Sequence, residues 1–94
     1  MDLYMLDKQE FVLEIMGGKD VLWDIMETLR PVSADKQVEI AVIAEDGYIR
    51  IEYDLFKTFM LNLIDNAIKA GARHVSLRGE RNGQKYIFTV IDSE

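Results

Sequence analysis

The sequence predicts an α+β fold, a two-layer sandwich in which two helices lie on one face of a mixed, mostly antiparallel sheet. Two stretches repeat apolar residues at helical spacing, one beginning after Gly17-Gly18 and the other running from Asp54 to Gly71. The stretches around them alternate apolar and polar residues and are separated by turn signals, as strands are. We therefore expect strand, helix, β-hairpin, helix and β-hairpin in that order, with residues 1–94 forming a single domain.

The first strand and the first helix are marked by the residues at their ends. Phe11 to Ile15 alternates and predicts a strand, which Gly17-Gly18 ends. We expect Asp20 to cap the following helix and Pro31 to stop it, because proline lacks the backbone donor that a helix interior uses. The apolar stripe of this helix consists of Val21, Leu22, Ile25, Met26 and Leu29, with Trp23 at the margin of the core.

A β-hairpin is predicted to follow and to lead directly into the second helix. Gln37 to Ile43 and Tyr48 to Tyr53 both alternate, and Glu45-Asp46-Gly47 between them is typical of a tight turn. The second helix then has a natural N-cap in Asp54 and a natural C′ residue in Gly71.

The second helix has an apolar face and a polar stripe opposite to it. At about 100° per residue, Asn62, Asn66 and Lys69 fall within an arc of about 60°. Two amides and an ammonium on one stripe are groups that can hold a metal ion and a phosphate, although a solvated helix face explains the same pattern. The apolar face consists of Phe56, Phe59, Met60, Leu63, Ile64 and Ala67.

The last part of the chain predicts a second hairpin. Arg73 to Arg78 alternates, and Asn82-Gly83 is the strongest short hairpin signal in the sequence. Lys85 to Ile91 is the most apolar of the predicted strands, so we expect it in the interior of the sheet.

Composition narrows the classes of function. Seventeen acidic against eleven basic residues give a net charge of −6, which speaks against a nucleic-acid backbone as the main partner. No run approaches the roughly 18 apolar residues of a membrane span, so no membrane contact is expected of this segment. The absence of cysteine excludes thiolate metal sites and disulfides and fits a cytoplasmic chain.

The order of elements and the segment from Asn62 to Lys69, NLIDNAIK, resemble the catalytic ATP-binding domain of sensor histidine kinases. That domain belongs to the ATPase superfamily shared with DNA gyrase, the MutL repair proteins and the ninety-kilodalton chaperones. The segment is similar to the N box of the family, and the Val-Ile-Asp that ends at Asp92 resembles the strand leading to its adenine contact. The resemblance runs from about Phe11 to Asp92.

The resemblance implies a site for ATP or ADP with Mg²⁺. Asn66 is similar to the asparagine whose oxygen coordinates the metal ion, which prefers oxygen ligands and keeps several waters. Asn62 resembles the residue that contacts the phosphates or a metal-bound water, and Lys69 the basic residue that reaches the phosphates. Asp92 resembles the aspartate that accepts a hydrogen bond from the adenine amine.

The residue at position 62 separates branches of the superfamily. Gyrase and the chaperones have a glutamate there as the general base for water, whereas an amide cannot take that proton. The resemblance therefore implies the kinase branch, a transferase of two-component signal transduction that passes phosphate to histidine. In an intact protein its partners are the remainder of the sensor kinase and a response regulator.

Several parts of the family pattern are missing from the sequence. Asp92 is followed by Ser93 and Glu94 instead of a D-x-G-x-G box, and no glycine-rich lid follows. The only histidine, His74, falls in a predicted strand, not on a phosphoacceptor helix. We expect an incomplete ATPase domain, truncated after the strand that ends in Asp92, with weak or no ATP affinity and no autophosphorylation by this chain alone.

A second class of function fits the same residues. The chain could be a non-enzymatic interaction module that keeps the α+β layer and has lost nucleotide binding. The truncation would leave Tyr86 to Ile91 on an exposed sheet edge, which predicts self-association through that edge or an exchanged element.

Overall fold

The computed structural model describes residues 13–93, and these confirm the predicted fold class. Two helices pack with a mixed, mostly antiparallel set of five strands, in which two of the three strand pairings are antiparallel. No helix in this part of the chain is long and apolar enough to cross a membrane. The elements are β1 (Glu14–Gly17), α1 (Gly18–Lys36), β2 (Glu39–Ala44), β3 (Tyr48–Ile51), α2 (Tyr53–Lys69), β4 (His74–Asn82) and β5 (Lys85–Ser93).

The core lies between the helices and the central strand β4. Side chains of β4 alternate, so Val75 and Leu77 point inward and are 1% and 0% exposed. Both helices turn one apolar side toward these residues, as expected for amphipathic helices on a sheet. The buried set consists of Val21, Leu22, Ile25, Leu29, Val38, Met60, Ile64, Ala72, Val75 and Leu77.

The predicted hairpin of β2 with β3 is wrong, although both strands form. β2 pairs in parallel with β4, and β3 pairs antiparallel with β1 in a separate two-stranded sheet. The residues between β2 and β3 hydrogen-bond to other parts of the chain instead of closing a hairpin. The Glu45 N–H donates to the Gly79 carbonyl, and the Gly18 N–H donates to the Gly47 carbonyl. Pairing with β4 places Ile40 and Val42 beside the buried core, so long-range burial overrides the local turn signal.

The second hairpin is confirmed, but its last strand does not lie where its apolar composition predicts. β4 and β5 pair antiparallel, with Asn82 opposite Lys85 and Gly83 at a positive φ of 64° in the turn. Within residues 13–93 the strand order is β2-β4-β5, so β5 is an edge strand, as the truncated family pattern predicts, and not an interior one. The composition of β5 suggests an interior strand because Ile87 and Ile91 add apolar residues to the face of β5 that points away from the helices.

The ends of α1 differ from both predictions. Gly17 is the N-cap and makes no side-chain cap, while Asp20 lies in the first turn, where a carboxylate favours the positive end of the helix dipole. Pro31 lies inside the helix, which continues to Lys36. Because both Pro31 and Glu27 one turn earlier are exposed, water can hydrate the carbonyl that loses its partner.

The predicted N-cap of α2 is wrong, whereas its predicted C′ residue is confirmed. Glu52, not Asp54, is the N-cap, and its side chain accepts from the Asp54 N–H at 3.2 Å. At the other end the Gly71 N–H donates to the Ile68 carbonyl and the Ala72 N–H to the Ala67 carbonyl. This is a Schellman motif, and Gly71 has the positive φ, 105°, that it requires.

The buried face of α2 is narrower than predicted. Met60 and Ile64 are 2% and 0% exposed, but Phe59 and Leu63 are 62% and 41% exposed. On the flank of the buried arc away from Phe59 and Leu63, Leu61 and Ile68 pack partly against the core. The buried arc is therefore rotated away from Phe59 and Leu63, because the described strands and α1 cover only one side of α2.

Candidate functional site

The polar stripe of α2 faces solvent along its whole length. Asn62 and Asn66 are exposed and one helical turn apart, on the side of the helix opposite Met60 and Ile64. Because the buried side fixes the rotation of the helix, the two amides are held in a constant relation to the sheet. Their free amide groups can accept from or donate to a bound molecule.

Lys69 lies on the same stripe but has a partner of its own. Its Nζ lies 2.9 Å from a carboxylate oxygen of Asp65, four residues earlier, and the two side chains are 74% and 49% exposed. An exposed pair of this kind stabilises a helix by only about 0.3–0.5 kcal/mol. The ammonium can therefore exchange this carboxylate for a phosphate at small cost.

Asp92 is exposed near the end of β5. It is opposite Val75 in the β4–β5 register, so it lies on the helix-covered side of the sheet. The next residue, Ser93, accepts from the Arg73 N–H at 2.8 Å, in the segment that joins α2 to β4. Asp92 and the last turn of α2 are thus at the same end of the layer.

None of the four residues lines the cleft of about 680 Å³ that other described residues form. That cleft lies by the turn of the β4–β5 hairpin, at the opposite end of β5 from Asp92. Residues 13–93 also contain no group of three or more His, Asp or Glu that could hold a metal ion. An exposed amide oxygen at Asn66 nevertheless fits Mg²⁺, which takes few protein ligands and completes its shell with water and phosphate.

His74, which the sequence predicts in a strand, lies in β4. Its Nδ1 is 3.9 Å from a carboxylate oxygen of Glu39 on the neighbouring strand, and both side chains are exposed. This is a cross-strand surface pair on the open face of the sheet.

A cluster that sequence reasoning missed joins α1 to the start of α2. The Tyr53 hydroxyl donates to the Asp24 carboxylate, and the Lys57 ammonium lies 3.1 Å from the same oxygen and 5.7 Å from the centre of the Tyr53 ring. The hydrogen bond from Tyr53, with Lys57 adding to it, lowers the pKa of Asp24. Burial, reinforced by Asp24, raises the pKa of Tyr53. The cluster positions α2 against α1 and touches none of the stripe residues.

Three basic residues were also missed, because they come together only through the strand pairing. Arg50 of β3, Arg81 of β4 and Lys85 of β5 all line the 680 Å³ cleft near the hairpin turn. In the sequence, Arg50 is 31 residues or more away from Arg81 and Lys85, so no local pattern marks the three as a group.

Comparison with known proteins finds likenesses among solved structures only. Neither a protein-family model nor a curated protein matches the sequence. The structure is similar to that of the histidine kinase AdeS of Acinetobacter baumannii, with a TM-score of 0.76 and 14% sequence identity over 95% of this chain. The match covers 46% of the AdeS chain, so this chain spans less than half the length of that kinase. At this identity the likeness shows the fold alone: the chain has a histidine-kinase-like α+β fold.

Proposed function

We propose that this chain is part of the Mg²⁺- and ATP-binding catalytic domain of a two-component sensor histidine kinase. The observation that carries the proposal is the exposed amide pair, Asn62 and Asn66, on the helix whose opposite face builds the core. The histidine-kinase-like fold supports it, and so does the position of Asp92 at the same end of the layer as the last turn of α2.

In this proposal each residue contributes by position and charge. Asn66 supplies an oxygen to Mg²⁺, and Asn62 contacts the phosphates or a water on the metal. Lys69 leaves Asp65 for the phosphates as a point charge. The Asp92 carboxylate accepts from the exocyclic amine of adenine, which guanine lacks at that position. Bound Mg²⁺ supplies charge neutralisation of the phosphates for transfer to histidine.

A titration of the ¹⁵N-labelled chain with ADP and Mg²⁺ tests the proposal. We expect amide shifts confined to the last turns of α2 and the end of β5, lost when EDTA removes the metal and lost in Asn66→Ala. Thr58→Ala is the matched control, because it makes a similar change on an exposed position of the same helix. Silence at millimolar ADP, or shifts that persist in Asn66→Ala, would exclude the proposed site.

The second candidate is a non-enzymatic interaction module. The Lys69–Asp65 pair and the exposed apolar side chains beside the amides, Leu55, Phe59 and Leu63, favour it. The edge position of β5 among the described strands supports self-association through strand pairing as its mode of action. Sedimentation equilibrium over a hundredfold concentration range tests this, and a concentration-independent monomer counts against it.

A further inference from the structure

The tip of the β4–β5 hairpin carries an asparagine followed directly by a glycine, Asn82-Gly83. In such a pair the side-chain amide carbon can close a five-membered ring with the next backbone nitrogen, and glycine has no side chain to shield that nitrogen. The sequence has two other asparagines, Asn62 and Asn66, which both lie inside α2 and are followed by residues with side chains. The three asparagines therefore differ both in the residue that follows them and in the element that holds them.

The two residues of this pair are exposed and have no partner among the described residues. All side chains from Asn82 to Lys85 are exposed, and a Cβ built at Gly83 meets no atom within 4 Å. In the hydrogen bonds of residues 13–93, neither the Asn82 side chain nor the Gly83 N–H takes part. Both groups are therefore free to react with one another.

The tip can open without disturbing the rest of the hairpin. Ring closure needs a rotation about the Cα–C bond of Asn82, which breaks its pairing with Lys85, the last pair of the β4–β5 ladder. The next pair is Arg81 with Tyr86, and both of its members are held by Glu45. The Arg81 N–H donates to the Glu45 carboxylate at 2.6 Å, and the Tyr86 hydroxyl donates to the Glu45 carbonyl at 2.7 Å. A terminal pair opens at a small free-energy cost, whereas an opening inside α2 breaks several backbone hydrogen bonds.

We propose that the free tip of this hairpin makes Asn82 a site of spontaneous deamidation, in which the Gly83 backbone nitrogen attacks the side-chain amide carbon of Asn82. The new carbon–nitrogen bond closes a succinimide ring. The bond from the same carbon to the amide nitrogen breaks, and ammonia leaves with the proton of the Gly83 N–H. Water then opens the ring at either carbonyl and gives aspartate or isoaspartate. One water is consumed and one ammonia is released, and no other reactant is needed.

The modification changes both the charge and the backbone of the tip. Replacement of the amide by a carboxylate makes the chain one unit more negative than its present −6. In isoaspartate the main chain runs through the side-chain carbon and gains one atom, so position 82 no longer pairs with Lys85 across a two-residue turn. We expect the loss of pairing to stop at Arg81 and Tyr86, because Glu45 holds both.

Mass spectrometry of the aged chain tests the proposal without nucleotide, so the result is independent of the proposed ATP site. The folded protein is kept at mildly alkaline pH for several weeks, and samples are digested with trypsin, which releases residues 82–85 as one peptide. We expect this peptide to convert into two separable products of equal mass, about tenfold or more faster than Asn62 or Asn66 converts. A sample digested at the start corrects for conversion during digestion.

Two variants separate the chemistry from the fold. Asn82→Gln keeps an exposed amide and the same net charge but can close only a six-membered ring, which forms more slowly. We expect the mass increase of the 82–85 peptide to disappear, which excludes Gln84 as its source. Asp46→Asn places the same kind of pair before Gly47, which is packed so closely that a Cβ there would lie 3.0 Å from the Tyr86 ring. We expect conversion at position 46 to be slower than at position 82, because the packing opposes the rotation.

Three outcomes would overturn the proposal. The first is conversion of Asn82 in the folded chain no faster than that of Asn62 and Asn66. The second is a mass increase of the 82–85 peptide that persists in Asn82→Gln. The third is equal rates at positions 46 and 82 in Asp46→Asn, because the sequence of the pair and not the free tip would then set the rate.

Discussion

The Tyr86 hydroxyl donates a hydrogen bond to the backbone carbonyl of Glu45 at 2.7 Å and ties the last hairpin to the end of β2. The ring of Tyr86 lies directly over two glycines, Gly18 at the start of α1 and Gly79 in β4. A Cβ atom at either glycine would overlap the ring. Three separate backbone segments therefore converge on one side chain, which ties β5 to the start of α1, to β4 and to the end of β2.

Gly79→Ala is expected to destabilise the chain because its methyl group would collide with Tyr86. The ring cannot move aside freely, since Phe88 and the Glu45 carbonyl hold it. Overpacking of this kind typically costs about 1–3 kcal/mol, measured as the free energy of unfolding in urea. In a Tyr86→Ala background the same change should cost much less. An equal cost in both backgrounds would show that the ring is not the cause.

The stability of the interhelix cluster is expected to fall at acidic pH. Because hydrogen bonds lower the folded-state pKa of Asp24 below its ordinary 3.8, the carboxylate contributes stability above that value. This contribution is lost as the pH falls through the lower, folded-state pKa. The difference in unfolding free energy between wild type and Asp24→Asn, measured in urea from pH 7 to pH 2, should shrink below about pH 4. A difference independent of pH would contradict the assignment.

Tyr53→Phe tests the same cluster at neutral pH. It removes the hydroxyl that donates to Asp24 while keeping the ring beneath the Lys57 ammonium. A loss of about 0.5–1.5 kcal/mol in the free energy of unfolding is expected for one such hydrogen bond. Tyr48→Phe, at a ring that is 84% exposed, is the control and should change stability little.

The local periodicity of the sequence was enough to predict both helices, four of the five strand segments and the Asn82-Gly83 hairpin. The first predicted strand, Phe11 to Ile15, lies partly outside the described residues, and β1 runs from Glu14 to Gly17. The local periodicity could not predict which strands pair, because β2 joins β4 across β3 and α2 and the gain comes from burial far along the chain. Pro31 does not end α1 as predicted, because a proline on an exposed helix face costs only one hydrogen bond, which water can replace. The amide stripe follows from a period of 3.6 residues, whereas the cationic cleft depends on strand pairing that the sequence does not reveal.

Gly71→Ala is expected to destabilise the end of α2 through the backbone alone. No atom lies within 4 Å of the position that its Cβ would take, so packing does not oppose the substitution. The cost comes from the positive φ of 105°, which an L-residue adopts at about 1–2 kcal/mol. Urea unfolding measures it, and Gly17→Ala, at an N-cap with an ordinary negative φ, is a comparison without this strain. If Gly71→Ala left the free energy of unfolding unchanged, the Schellman turn would not contribute measurably to stability.

Substitutions of Asp65 and of Lys69 are expected to change the affinity of the proposed site for ADP with Mg²⁺ in opposite directions. Asp65→Asn releases the Lys69 ammonium from its 2.9 Å partner and removes a negative charge beside the phosphates, so binding of ADP with Mg²⁺ should tighten about twofold or more. Lys69→Gln removes the phosphate partner and should weaken binding. Asp35→Asn, the same charge change on α1, controls for net charge. Amide-shift titrations measure all three, and the difference should fade at 0.5 M salt because the charges are exposed. If the variants at positions 65 and 69 changed the affinity in the same direction, Lys69 would not be a phosphate contact. Any binding would then have to come from the amides of Asn62 and Asn66.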